Sequence, residues 1–109
     1  MKGLVMNFFQ KLFGISPEKK LERKLRKLKS LKDYLEERLK TFPVDDQEMV
    51  QRLKSFLSEA AGLIESQQSL GQRLSDIEEF EGRLEGSEVF FGEVNYPLFA
   101  DIVRAYEGT

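Results

Sequence analysis

Cysteine, histidine and tryptophan are absent from this 109-residue chain, and proline occurs only three times. Without cysteine or histidine there is no thiol nucleophile, no disulfide framework, no thiolate zinc site, no imidazole base and no imidazole metal ligand. The absence of cysteine suits a reducing compartment and leads to the expectation of a cytoplasmic protein. Long apolar runs are also missing: the N-terminal apolar stretch is cut by Asn7, Gln10 and Lys11. It is too short and too polar to span a bilayer, and it carries no signal-peptide cleavage pattern. With a core limited by chain length, the chain is expected to be a single unit for which self-association is a natural supplement.

What the chain has in quantity is charge, and it is segregated. Residues 1–40 hold 12 Lys/Arg against 5 Asp/Glu, whereas residues 41–109 hold 5 against 14. The formal net charge of −2 therefore conceals a first part at +7 and a second at −9. Opposed blocks of this kind mean either internal pairing or an interaction surface.

Hydrophobic spacing supplies the architecture. Met49, Leu53, Phe56, Ala60, Leu63, Gln67, Leu70, Leu74, Ile77, Glu81 and Leu84 follow an uninterrupted 4-3-4-3 pattern, the mark of a helix buried along one seam. Ser16-Pro17 supplies a helix cap and a first-turn proline for a preceding helix that carries Leu21, Leu25, Leu28, Leu35 and Leu39. Lys32 holds one seam position of that helix, and Leu31 widens its stripe. Phe42-Pro43 stops it, because the residue before proline avoids the α region, and Asp45 with Glu48 reads as a capping box for the next helix. A single antiparallel register then pairs Leu39 with Met49, Leu35 with Leu53, Leu28 with Ala60 and Leu25 with Leu63.

The polar stretch Ser66-Gln67-Gln68-Ser69 could interrupt the second helix, with Ser69 and Gln72 capping a fresh one. The preserved phase instead predicts one helix of about 40 residues, near 60 Å long; a three-helix bundle is the alternative. Residues 3–14 read as an amphipathic helix with Leu4, Val5, Phe8, Phe9, Leu12 and Phe13 on one side. After Gly86, Val89-Phe90-Phe91 reads as a short strand-like run, and Asn95-Tyr96-Pro97 opens a last helix. The predicted fold is thus all-α: an antiparallel, coiled-coil-like helical hairpin (16–85), an N-terminal amphipathic accessory helix (1–15), and an aromatic C-terminal element of strand-like segment plus helix (86–109).

No catalytic constellation accompanies this pattern, and no enzyme activity, cofactor, metal or small-molecule substrate is expected. The carboxylate groups Asp45-Asp46-Glu48 and Asp76-Glu78-Glu79-Glu81 have bland explanations: a helix first turn and a solvated face, apart from Glu81 at a seam position. The chain is expected to be a protein-interaction or assembly module, adaptor- or chaperone-like, that forms a homodimer. The candidate partner-binding residues are Phe8, Phe9, Phe13, Phe90, Phe91, Tyr96 and Phe99, since aromatics concentrate at interface cores. Lys19, Lys20, Arg23, Lys24, Arg26, Lys27 and Lys29 form a candidate polyanion surface. Between Lys19 and Lys32 eight Lys/Arg meet one Glu, so an outside partner or a fold-back of the acidic stretch Asp76–Glu88 must balance them. Two alternatives follow: peripheral attachment to an anionic membrane through the N-terminal and basic helices, and nonspecific nucleic-acid binding. The last is disfavoured by the lack of interleaved aromatics and a sequence pI near 5.3.

Overall fold

In a computed structural model, which describes residues 16–43 and 45–108, every regular element is helical. They are α1 (Pro17–Thr41), α2 (Gln47–Glu65), α3 (Leu70–Gly86), the four-residue turn α4 (Glu88–Phe91) and α5 (Tyr96–Glu107). The N-terminal helix expected over residues 3–14, with Phe8, Phe9 and Phe13, lies outside the described residues.

Local chemistry sets the boundaries. The Ser16 hydroxyl accepts the Lys19 backbone N–H at 3.3 Å, Pro17 occupies the first turn, and α1 ends before Phe42, which is extended at φ −78°, ψ 139° ahead of Pro43. The cap of α2 is Asp46, one residue later than the expected Asp45: its carboxylate accepts the Met49 N–H at 3.3 Å.

The expectation of one unbroken helix to Leu84 is overturned at residues 66–69. The Ser69 hydroxyl accepts the Gln72 N–H at 3.3 Å and starts α3, while Ser66 Oγ accepts the Gln68 N–H at 3.2 Å and turns the chain away from α2. The Arg73 guanidinium reaches back to the carbonyls of Leu63 and Ile64, at 3.5 and 3.0 Å, and satisfies acceptors that the end of α2 leaves open. A break of four residues is close to one helical turn, so the heptad spacing runs across it undisturbed. Glu59 and Arg83, far apart on a continuous rod, form an ion pair here.

The expected strand is likewise a helical turn. Phe91 N–H bonds to the Ser87 carbonyl at 3.1 Å and Gly92 N–H to that of Glu88 at 3.0 Å, because a lone strand has no edge to pair with among the described residues. Gly92 then takes φ 66°, ψ −167°, a conformation all but confined to glycine, and redirects the chain into α5.

Helix α1 is the centre of the assembly. It packs most extensively on α2, next on α5 and then on α3. This explains why Leu28, Leu31 and Leu35 are all fully enclosed, a stripe too wide for a two-helix seam. The opposing layer comes from Leu53, Phe56 and Ala60 of α2, Ile77, Phe80 and Leu84 of α3, Phe91 of α4, and Leu98, Phe99, Ile102 and Tyr106 of α5. The Phe80 ring is the hub, meeting Phe56 edge-on at 6.1 Å and Tyr106 at 6.4 Å.

Candidate interaction surfaces

The basic face of α1 meets the acidic block of the same chain. The Lys24 ammonium donates to both Glu81 carboxylate oxygens, at 2.9 and 2.8 Å, and Lys20 pairs with Glu78 at 3.4 Å. Lys27 stands over the Tyr106 ring, 5.8 Å from its centroid, and Lys29 pairs with Asp33 at 3.4 Å on its own helix. The fold-back of α3 therefore supplies part of the balancing charge. Lys19, Arg23 and Arg26 stay exposed, spaced at three and four residues along one face of α1.

Glu81 occupies a partly screened position between three helices. Its second oxygen also accepts the Tyr106 hydroxyl at 2.6 Å. Burial, followed by the hydrogen bond and charge of Glu81, pushes the Tyr106 phenol far above its ordinary value, so it acts as a fixed donor. Beside it, Glu78, Glu85, Leu84, Val103 and Glu107 line a cleft between α3 and α5. No group of acidic side chains among the described residues has the geometry to hold a metal ion.

The aromatic candidates divide sharply. Phe91 and Phe99 are buried in the chain's own core, 5.6 Å apart, where they tie α4 to α5. Phe90 is half-buried beneath the Arg52 guanidinium, which lies 4.2 Å from its ring centroid. Of the described aromatic candidates Tyr96 alone stays exposed, and it lies near in sequence to two valines that aromatic counting overlooks. Val89 and Val94 are 89% and 90% exposed, and with Tyr96 at 49% they are the large apolar side chains left in solvent among the described residues. All three fall within eight residues of sequence at the α4–α5 corner, where Val89 and Tyr96 form an open cleft with Gly92 and the carboxylates of Glu88 and Glu93. The sequence signal that could have found Val94 is its place between Gly92 and Pro97, in the turn that joins α4 to α5.

No helix among the described residues is long and apolar enough to cross a membrane. Comparison with protein-family models, with curated proteins and with solved structures finds no match to this chain.

Proposed function

We propose that this chain is a non-catalytic docking module, with α1 and α2 as an antiparallel hairpin scaffold and the α4–α5 corner as its contact surface. The observation that carries the reading is the exposure of Val89, Val94 and Tyr96 at one corner while the other large apolar side chains among the described residues are covered or half-covered. Exposed apolar clusters with a polar rim are characteristic of interaction sites. The rim here is acidic, formed by Glu88 and Glu93. The partner this chemistry suits is an amphipathic helical segment with apolar residues on one face and Lys/Arg beside them, the groove-and-anchor mode of peptide recognition.

The test uses a fluorescently labelled amphipathic peptide of leucine and lysine, titrated with the full chain and followed by anisotropy. Binding is expected, with a loss of at least about tenfold in the Val89→Asp, Val94→Asp double variant, equivalent to about 1.4 kcal/mol. Both valines lie in solvent, so the far-ultraviolet circular dichroism should not change. Equal binding by the double variant and the parent would overturn the reading.

A further inference from the structure

Resting on that docking reading, we propose that the occupant of the acidic corner is the segment 1–15 of a second copy of this chain, exchanged reciprocally in a two-fold dimer. The segment has the required composition: Leu4, Val5, Phe8, Phe9, Leu12 and Phe13 at helical spacing, Lys2 and Lys11, and no acidic residue. It leads directly into Lys19, Arg23 and Arg26, three exposed cations at the beginning of α1. In the sequence this basic apolar segment joins the described chain at Ser16, before α1, whereas the acid-rimmed apolar cleft lies between α4 and α5.

Their separation argues for exchange between copies. The cleft lies toward the far end of α1, because Phe90 packs under Arg52, about a turn and a half into α2 and so close to the 42–46 connection. From Ser16 to that level is roughly 30 Å along α1, whereas at the helical rise that would put Leu4, Phe8 and Leu12 of the sequence on one face, twelve residues cover only about 18 Å. Two copies lying side by side in opposite directions bring each segment to the other's corner, and the two contacts are then identical and closed. The charges select against the simpler corner-to-corner dimer, which would set Glu88 and Glu93 of one copy against the same carboxylates of the other.

Light scattering on the full chain provides the test. A mass of twice 12.7 kDa is expected for the parent at micromolar concentration. The Val89→Asp, Val94→Asp variant and the Phe8→Asp, Phe9→Asp variant should each fall to the monomer mass with helical content retained. Because the chain has no cysteine, single-cysteine variants Phe13→Cys and Val89→Cys can be mixed and oxidised. The mixed disulfide should then exceed either self-linked product.

A monomeric parent, or a dimer that survives either aspartate variant, overturns the exchange. So does a Phe8→Asp, Phe9→Asp variant whose mass is unchanged but which loses binding to phosphatidylserine vesicles, since the segment's target is then a lipid surface. If the parent is monomeric yet still binds the leucine–lysine peptide through Val89 and Val94, the exchange fails and the docking reading stands. If it is monomeric and the peptide binding is also indifferent to those valines, both fail.

Discussion

The hydroxyl of Tyr106 donates to Glu81 Oε2 at 2.6 Å. That same oxygen accepts from Lys24 at 2.8 Å, so one carboxylate on α3 joins the first and last helices described. The side chains of Lys24 and Glu81 are only 16% and 27% exposed, which places the pair between the negligible surface ion pair and the costly buried one.

Removing one partner should therefore hurt more than removing both. We expect Glu81→Leu to cost about 2 kcal/mol, because it strands the Lys24 ammonium and the Tyr106 hydroxyl in a screened site. The double variant Lys24→Met, Glu81→Leu should recover at least half of that. Chemical denaturation of the two single variants and the double variant gives the coupling directly, and strict additivity would show that the pair is unimportant.

Alkaline pH should unfold the protein partly through the same tyrosine. Tyr106 has its folded pKa raised above the ordinary value of 10.0, so the folded state keeps a proton that the unfolded state releases. The stability it contributes is complete below pH 10 and is lost as pH rises beyond that value. Tyr106→Phe lowers stability at neutral pH by about 1 kcal/mol through the lost hydrogen bond. It should also decline less steeply above pH 10 than the parent. Parallel slopes for the two proteins would remove Tyr106 from the account.

The break between α2 and α3 has a direct geometric readout. On an unbroken helix the 24-residue interval from Glu59 to Arg83 would measure about 36 Å, whereas the two side chains form an ion pair here. Spin labels replacing both residues should report a distance far below that value, and a peak near 36 Å would restore the single rod. Ser69→Ala, which deletes the cap that starts α3, should cost about 1 kcal/mol in thermal unfolding.

Much of the helical plan was readable because local signals acted alone. Ser16-Pro17 and Phe42-Pro43 mark α1 at both ends, and Leu28, Leu35, Leu53 and Ala60 are all enclosed as their spacing implied. The 66–69 break stayed hidden because its length matches a turn, although Ser69 and Gln72 carried its cap in plain view. Phe80 was the largest omission. It lies next to Glu81: Ile77 and Leu84 are buried at their seam positions, and Phe80 takes the buried place between them that the spacing assigned to Glu81. That exchange leaves Glu81 at the edge where Lys24 can reach it, and a charged seam position was the available hint.

At the candidate surface, charge segregation was legible but its resolution was not. Composition alone could not say that α3 would fold back to place Glu78 and Glu81 beside Lys20 and Lys24. Aromatic content drew attention to Phe91 and Phe99, which the chain uses for its own core, and away from Val89 and Val94. Burial depends on what covers a residue, and nothing in the local sequence of α4 announces that Val89 is left in solvent while Phe91 is buried.

Gly92 separates two properties that are fused at most binding surfaces. The bend at the corner is held by a backbone angle, φ 66°, and a methyl group built there would meet no neighbour within 4 Å. Replacing it would penalise the fold through torsion alone, while Val89 and Val94 lie almost wholly in solvent and Tyr96 is half exposed. On the proposed docking role, contour and chemical taste would drift independently: recognition would be rewritten at three side chains without reshaping the frame that presents them.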